Sequence, residues 1–99
     1  MTAKLIFAVE AEEDLDAAYA WYESRRRGLG EEFLSCIDAC IQRIQRMPEA
    51  YPRFYENFRR VIVRRFPYVI FYDSSGSLIT VYAVFHTSLD PDRWQNRLS

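Results

Sequence analysis

The order in which the spacing of apolar residues changes along the chain constrains the fold more than any other feature. The stretch KLIFAV, Lys4 to Val9, is rich in strand-forming residues and predicts a first β-strand. From Glu10 onward the apolar residues recur three and four positions apart, which is the spacing of one helix face. A second stretch with this spacing runs from about Glu31 to Met47, and Pro48 ends it. The sequence therefore predicts a strand followed by two amphipathic helices.

The ends of the two predicted helices are typical of a helical hairpin. Acidic residues lie in the first turns of the first helix, and the triplet Arg25 to Arg27 closes it before Gly28, so both ends suit the helix dipole. The triplet is either a helix-terminal charge cluster or a phosphate site, and the dipole favours the first interpretation. Because only the residues GLG join the two helices, we expect them to lie antiparallel.

The C-terminal half of the chain is typical of strands. After a connecting loop, EAYPRFYEN, the stretch RVIVRR alternates if it is extended, with Arg60, Ile62 and Arg64 on one face and Val61, Val63 and Arg65 on the other. Pro67 cannot donate a ladder hydrogen bond, so it belongs at the junction between two strands. The stretch YVIFYD then predicts a strand, SSGS a hairpin turn and LITVYAVFH the last strand.

The last strand indicates how the layers are arranged. Its side chains alternate between two faces. One face is apolar and carries Ile79, Val81, Ala83 and Phe85. The other face is mixed and carries Leu78, Thr80, Tyr82, Val84 and His86. A sheet with an apolar face under two helices and a mixed face left open is a two-layer α+β fold. We predict the order β-α-α-β-β-β, with the N-terminal strand and the helical hairpin packed on a mainly antiparallel sheet. A functional site is expected on the open face, where Thr80, Tyr82 and His86 join some of the arginines.

Length and composition limit the class of protein. A chain of 99 residues predicts one domain over residues 1–99, large enough to fold without a metal or disulfides. Cys36 and Cys40 lie four positions apart in the second predicted helix with no histidine nearby, so we expect small core residues, not zinc ligands. The apolar run Leu5 to Val9 is too short for a signal peptide or a membrane span. We expect a cytoplasmic protein with no metal, no cofactor and no membrane partner.

The two halves of the chain differ in charge. Residues 1–49 hold ten acidic and six basic groups (−4), whereas residues 50–99 hold four and seven (+3). This split argues against broad nucleic-acid binding, and we expect no sequence-specific DNA binding by the chain alone. It permits a local contact between the basic half and an acidic partner.

Four motifs in the chain resemble those of one family. They are A-x-x-D-L at Ala11 to Leu15, a helical hairpin ending in proline, F-P-Y-x-I-x-Y from Phe66 to Tyr72, and V-x-H-x-x-x-D-P-x-x-W-x-x-R from Val84 to Arg97. In this order, over nearly the whole chain, they resemble the RelE/ParE superfamily of bacterial toxins. The resemblance implies the sheet-and-hairpin fold predicted above. It also implies the toxin of a type II toxin–antitoxin module of the plasmid stabilisation type, neutralised by a small cognate antitoxin.

The superfamily divides by mechanism, and the departures from its patterns favour one branch. RelE-like members cut messenger RNA on the ribosome with basic residues on the sheet and near the C-terminus, whereas ParE-like members are not nucleases and poison DNA gyrase. Where the RNase branch commonly carries basic residues, this chain has Ile62, Val69 and Leu89. Cleavage of a phosphodiester without a metal needs several positioned charges and a proton acceptor. The departures therefore favour the ParE-like branch.

The candidate partner-binding residues are Arg60, Arg64, Tyr82, His86, Arg93, Trp94 and Arg97. The two strand arginines are either a solvated face or functional cations. His86 is either a general base or a structural residue bonded to the Asp90–Pro91 turn. Trp94 either pins the C-terminal tail to the sheet or forms a binding hot spot with its flanking arginines. Tyr82 is expected to pack rather than to stack on bases.

Three functional hypotheses follow from these residues. The favoured one is a ParE-like toxin that inhibits DNA gyrase by protein binding and has no catalytic residues of its own. The second is a RelE-like endoribonuclease that acts on mRNA at the ribosome with Arg60, Arg64 and His86. The third is a degenerate toxin without activity. For the ParE-like toxin the expected partners are a cognate antitoxin and gyrase. For the RelE-like endoribonuclease they are a cognate antitoxin, the ribosome and mRNA.

Overall fold

The fold consists of a five-stranded sheet with two long helices on one face. The computed structural model describes residues 3–88 and 91–98, apart from the side chains of Pro91 and Trp94. In chain order the elements are β1 (Lys4–Phe7), α1 (Val9–Arg25), α2 (Leu29–Arg46), β2 (Arg53–Tyr55), β3 (Phe58–Ile62), β4 (Tyr68–Ser75), β5 (Leu78–His86) and α3 (Pro91–Leu98). The predicted α+β arrangement of a strand, a helical hairpin and a run of strands is confirmed. One further strand, β2, and one further helix, α3, add to it.

The helical hairpin forms where the sequence predicts it. α1 carries acidic residues in its first turn and Arg25 in its last turn, so its charges suit the helix dipole. Gly28, with a left-handed φ of 88°, makes the turn into α2. The Glu23 carboxylate accepts hydrogen bonds from the backbone N–H groups of Gly28 and Gly30, each at 3.0 Å. These bonds satisfy donors that the start of a helix leaves without intrahelical partners.

The sheet is mainly antiparallel, as predicted. Its strand order is β1-β5-β4-β3-β2, with β1 parallel to β5 and the other neighbours antiparallel. β1 pairs only with residues 78–81 of β5, and β2 pairs only with Phe58 and Arg59 of β3. Consequently, the second half of β5 and the end of β3 each have an edge along which no strand of the described chain lies.

The predicted alternation of the last strand is wrong in its second half. Two consecutive residues of β4 pair with Ala83 and Val81 of β5, so Tyr82 is an extra residue that forms a β-bulge. Because a one-residue shift moves every later side chain to the other face, the bulge reverses the alternation. Val81 and Val84 both face the helices, whereas Ala83 and Phe85 lie on the opposite face.

Hydrophobic clusters lie on both faces of the sheet. The larger one fills the space between the sheet and the helices, and its fully buried members include Ala11, Phe33, Cys40, Ile44, Ile70, Tyr72, Ile79 and Val81. Cys36 packs against the same cluster, and both cysteines are free thiols. The smaller cluster lies on the open face and comprises Val69, Phe71, Ala83, Phe85 and Leu98. The open face is therefore more apolar than the sequence predicts, and α3 covers part of it.

The two additional elements have too little pattern to be predicted. β2 lies within the stretch predicted as a connecting loop, where a left-handed φ of 51° at Glu56 lets three residues fold back on β3. Three residues are too few to show an alternation. Leu98 is the buried residue among the described side chains of α3, and with eight residues this helix is too short to show a sustained apolar spacing like that of α2. In the part of the chain that the structure describes, no helix combines the length and the hydropathy that crossing a membrane requires.

Candidate functional site

Arginine side chains from separate parts of the chain line one pocket at the end of β3. Arg43 comes from α2, Arg53 from β2, Arg60 from β3 and Arg64 from the segment after β3. The pocket has a volume of about 450 Å3, and we call it the arginine pocket. The alternation of the stretch RVIVRR indicates Arg60 and Arg64, and the fold adds the other two. No local pattern reveals Arg43 and Arg53, because only tertiary structure brings α2 and β2 to this place.

The arginine pocket concentrates positive charge. Within residues 3–88 and 91–98, none of its four arginines forms a salt bridge with a carboxylate. The Arg60 guanidinium carbon lies 3.8 Å from the ring centroid of Phe54, which is a cation–π contact. The Nε atom of Arg43 is buried and has no hydrogen-bond partner in the described structure. A pocket with this charge attracts anions.

Beside the arginine pocket, the centre of the open face is apolar. Ile62 of β3 pairs directly with Val69 of β4. Val69 belongs to the cluster that Leu98 of α3 completes. Both strand positions are ones at which the RNase branch commonly carries basic residues, and the third such position, Leu89, lies outside the described residues. An apolar surface cannot stabilise the charge of a phosphodiester transition state.

Tyr82 and His86 do not form a joint site. The Tyr82 ring packs edge-on against Phe58, with centroids 5.2 Å apart, in agreement with a packing role. His86 is exposed at the end of β5, where its Nδ1 accepts a hydrogen bond from the Ser88 N–H at 3.1 Å. It borders a cavity of about 130 Å3 together with Arg60. Within the described chain His86 has no salt bridge to a carboxylate that could orient it as a general base.

The C-terminal helix α3 is tied to α1 by a salt bridge. Arg97 donates two hydrogen bonds to Asp14, from Nη1 to Oδ2 at 3.0 Å and from Nη2 to Oδ1 at 2.9 Å. These bonds raise the pKa of Arg97. Asp14 Oδ2 also accepts the backbone N–H of Val84 at 3.0 Å, on the edge of β5 beyond the end of β1. The Arg97 guanidinium carbon lies 4.9 Å from the ring centroid of Phe85. We call these four residues the Asp14–Arg97 clasp.

The clasp changes how the C-terminal candidates are interpreted. Arg97 has an internal partner, so its loss would act on stability as well as on any partner contact. Arg93 is exposed and lines a pocket with a volume of about 290 Å3 beside Asp14. The side chain of Trp94 lies outside the described part of the chain, and both interpretations of that residue stay predictions. Asp14 is the acid of the motif A-x-x-D-L, but the sequence does not indicate its role, because an acid on α1 looks the same whether it is solvated or bonded.

An apolar groove lies between α1 and the end of the sheet. It has a volume of about 600 Å3 and is lined in part by Trp21, Tyr22, Tyr68 and His86. Trp21 is 52% exposed, and the Arg25 guanidinium carbon lies 4.5 Å from its ring centroid. Burial raises the pKa values of the Tyr22 and Tyr68 phenols, so both are neutral at physiological pH. The signal missed in the sequence is a tryptophan at a position of α1 where the apolar spacing predicts the polar face.

Comparison with known proteins decides the family. A family model described as the ParE toxin of the type II toxin–antitoxin system parDE matches residues 5–91. The chain belongs to the ParE toxin family. Two curated relatives of this toxin, both named Toxin ParE2 and both from strains of Mycobacterium tuberculosis, are 25% identical to it over 100 residues. The alignments cover all of this chain and 95% of each relative.

A solved structure has the same fold as this ParE family member. It is a chain from a structure titled as the chromosomal ParDE toxin–antitoxin system from P. aeruginosa, and it superposes with a TM-score of 0.76. The match covers 86% of this chain and 96% of the other at 18% sequence identity, so it shows the fold alone. Together with the family match, it confirms the predicted resemblance to the RelE/ParE superfamily and the preference for the ParE-like branch.

Proposed function

We propose that this ParE family toxin acts in the cytoplasm by binding DNA gyrase and inhibiting it, and that a cognate antitoxin neutralises it. The observation that carries the proposal is the match of the ParE family model over residues 5–91. Gyrase and the antitoxin are the partners that the resemblance to the ParE-like branch implies. The relative from P. aeruginosa is titled as part of a toxin–antitoxin system, which supports an antitoxin partner here.

The side chains of the open face support binding rather than catalysis. The pair Ile62 and Val69 is apolar where an RNase would carry cations. Arg60 and Arg64 line one pocket, whereas His86 borders another cavity with Arg60. A metal-free RNase needs its cations and its proton acceptor around one phosphate. The described lining of the arginine pocket thus provides cations for binding and includes no histidine or carboxylate that could accept a proton.

The surface offers residues of the types that dominate binding hot spots. Tryptophan and arginine are over-represented at such positions. Trp21 is half-exposed beside the apolar groove of α1, and the arginine pocket lies at the end of β3. Arg93 is exposed on α3 and Trp94 follows it in the chain. A toxin with two protein partners needs more than one such surface if the antitoxin is to act while gyrase is bound.

Co-expression tests the antitoxin partner. The toxin is produced together with the product of the small gene beside its own, and the mixture is separated by size-exclusion chromatography. We expect one complex that contains both proteins and that persists on dilution. A toxin that elutes alone in the presence of the neighbouring product would show that the two do not form a pair.

Induction of the toxin in cells without antitoxin tests the choice of target. We expect division to halt and a DNA-damage response to rise while messenger RNA stays intact. Arg93→Ala and Trp94→Ala are expected to relieve the toxicity without unfolding the domain, because truncating one interface anchor typically costs about 2 kcal/mol or more. If the RNase hypothesis holds instead, transcripts are cut, and Arg60→Ala or Arg64→Ala slows cleavage by about a hundredfold. Arg27→Ala, an exposed change at the turn between α1 and α2, is the control.

A further inference from the structure

A second pocket adjoins the arginine pocket at the end of α2, and we call it the Met47 pocket. It has a volume of about 440 Å3 and is lined by Arg43, Arg46, Met47, Ala50 and Tyr51. Arg43 and Tyr51 line both pockets, so the two are neighbours. The Met47 side chain is apolar, yet the residue is 64% exposed. The two pockets together therefore place a cluster of cations beside an accessible apolar surface.

The arginines of these pockets carry charge that the chain itself does not neutralise. Arg26, Arg65 and Arg97 each lie within 3.5 Å of a carboxylate. Among the described residues, no carboxylate lines either pocket, and none of the five lining arginines forms a salt bridge. The buried Nε of Arg43 also has no hydrogen-bond partner in that part of the chain. A bound anion would satisfy this donor and relieve the repulsion between the like charges.

The wall that the two pockets share is held in place by hydrogen bonds. Tyr72, which is fully buried, donates its hydroxyl hydrogen to the carbonyl oxygen of Pro48 at 2.7 Å. Arg59 donates from Nη1 to the carbonyl oxygen of Tyr51. Both ends of the segment 48–51 are therefore tied to strands of the sheet. A wall fixed in this way reduces the ordering that a ligand would have to impose when it binds.

The density of positive charge favours phosphates as the ligand groups. Four guanidinium groups surround a volume of about 450 Å3. The Arg60 guanidinium carbon lies 3.8 Å from the ring centroid of Phe54, and a guanidinium stacked on a ring still donates hydrogen bonds from its edge. An oligophosphate carries several negative charges on adjacent groups, and guanidinium groups bind phosphate oxygens in two-pronged geometry. An extended peptide places side chains on one face only about every 7 Å, so it brings fewer charges into such a volume.

The Met47 pocket suits the remainder of an organic phosphate. Sites for small molecules typically combine a volume of about 300 to 1,000 Å3 with apolar and aromatic walls and a few charged groups. Tyr51 provides an aromatic wall and Met47 a flexible apolar one. A planar base packs on such side chains, because every base has a π-face.

From this geometry we infer that the two pockets together bind an organic oligophosphate, of which a nucleoside triphosphate is the simplest example. The phosphate groups lie among Arg43, Arg53, Arg60 and Arg64, and the Nε of Arg43 donates to one of their oxygens. The planar ring of the ligand lies against Met47 and Tyr51. The inference goes beyond the proposed function, because it concerns a small molecule and depends on neither gyrase nor the antitoxin.

Isothermal titration of ATP into the purified toxin tests the site. The titration is done at low salt and without divalent cations, which would neutralise the phosphates. We expect binding that weakens as salt rises, and a loss of affinity of about tenfold for each of Arg53→Gln, Arg60→Gln and Arg64→Gln. The three side chains are exposed, so the variants should keep the fold. Arg27→Gln, an exposed change in the turn between α1 and α2, is the matched control and should bind as the wild type does.

Inorganic triphosphate and one further variant separate the two pockets. Inorganic triphosphate should bind about tenfold more weakly than ATP, because it lacks the base. Met47→Ser should weaken the binding of ATP and leave that of inorganic triphosphate unchanged, and its exposed position should preserve the fold. If both ligands bind equally and Met47→Ser affects neither, the Met47 pocket takes no part and the inference of a joint site is wrong.

Other anions show whether the arginine pocket selects oligophosphates. If ATP does not bind at millimolar concentration, or binds equally well to the arginine variants, the pocket is no oligophosphate site. A capped hexaglutamate peptide should bind much more weakly than ATP, and equal affinity would reduce the pocket to a general attraction for anions. A single-stranded RNA oligonucleotide that binds more tightly than ATP and loses affinity in the same variants would assign the pocket to a nucleic acid instead.

A nuclear magnetic resonance experiment locates the ligand independently of affinity. The toxin is labelled with 15N, and the Nε–H signals of its arginines are followed as ATP is added, with the Arg43 signal assigned from its loss in Arg43→Lys. We expect ATP to shift the Arg43 signal, since its Nε gains an acceptor, and to leave the signal of Arg27 in place. Shifts confined to Arg25, Arg26 and Arg27 would place the phosphates at the helical hairpin and overturn the inference.

Discussion

Removal of the Asp14 carboxylate should lower the free energy of unfolding by about 3 kcal/mol. In Asp14→Ala the Val84 N–H loses its acceptor at 3.0 Å, and Val84 is 2% exposed. Leaving a buried donor without a partner costs about 2 kcal/mol. Arg97 also loses both of its hydrogen bonds to the carboxylate. Because the two side chains are 14% and 29% exposed, their pair should contribute about 1 kcal/mol, at the upper end of the range for surface pairs.

Related variants separate the two contributions. Asp14→Asn keeps an oxygen that can accept the Val84 N–H but removes the charge that binds Arg97, so its cost should fall to about 1 kcal/mol. Arg97→Ala should cost about 1 to 2 kcal/mol, since it also removes the contact with the Phe85 ring. In a double-mutant cycle, Asp14→Ala and Arg97→Ala should show a coupling of about 1 kcal/mol.

Urea unfolding followed by circular dichroism measures these differences. Asp16→Ala is the matched control, because Asp16 is an exposed acid on the same helix, and its effect should stay within about 0.5 kcal/mol. In thermal unfolding, each kcal/mol corresponds to about 4 to 8 °C for a domain of this size. If Asp14→Ala and Asp16→Ala have the same effect, or if the cycle shows no coupling, the clasp does not hold α3 to α1.

Three further predictions concern the core and the helical hairpin. Burial raises the pKa of Tyr72 to about 12, above the value of about 10 for an unfolded tyrosine. Its contribution to stability is therefore complete below about pH 10 and is lost as the pH rises towards 12, so Tyr72→Phe should lose less stability over that interval in urea unfolding. The same alkaline loss in both proteins would contradict this. In Gly30→Ala, the new Cβ would lie 2.8 Å from two ring carbons of Tyr19 and 3.0 Å from Glu23 Oε1. The variant should unfold at a lower temperature by an amount that corresponds to about 1 to 2 kcal/mol, and an unchanged midpoint in calorimetry would show that the hairpin accommodates the methyl group. Burial also raises the pKa of the Cys40 thiol. A thiolate-specific reagent should therefore label Cys36 in the native toxin and Cys40 only after unfolding, as read by mass spectrometry of the peptides, and equal native rates would rule this out.

The helices and most strands of this toxin are predictable because each carries its own periodic pattern. α2 shows a continuous apolar stripe, and its buried residues Phe33, Ile37, Cys40 and Ile44 follow helix spacing. The bulge at Tyr82 has no such signal. Nothing in the residues VYAVFH marks an irregularity in the strand. Only the pairing of β5 with β4 shows that one residue of β5 is extra. The composition of the open face depends on that insertion.

The candidate sites were harder to predict than the fold, because they depend on contacts between residues distant in the chain. Arg60 and Arg64 lie two residues either side of Ile62, and strand alternation predicts that they act together. Arg43 joins them from α2, 17 positions before Arg60. The contact of Asp14 with Arg97 spans 83 positions, and no spacing within one helix indicates it. Sequence patterns therefore predict the helices and strands, and the sites whose side chains lie on one of them. Sites whose side chains come from several helices and strands are found only in the tertiary structure.

A supercoiling assay with purified DNA gyrase tests whether gyrase is the target of the toxin. The toxin is added to gyrase, ATP and relaxed plasmid, with and without prior mixing with antitoxin, and transcripts in a translating extract are mapped in parallel by primer extension. We expect the toxin to block supercoiling, the antitoxin to restore it, and the transcripts to stay intact. Normal supercoiling together with codon-positioned cleavage of the transcripts would exclude gyrase as the target and establish the toxin as a ribosome-dependent RNase.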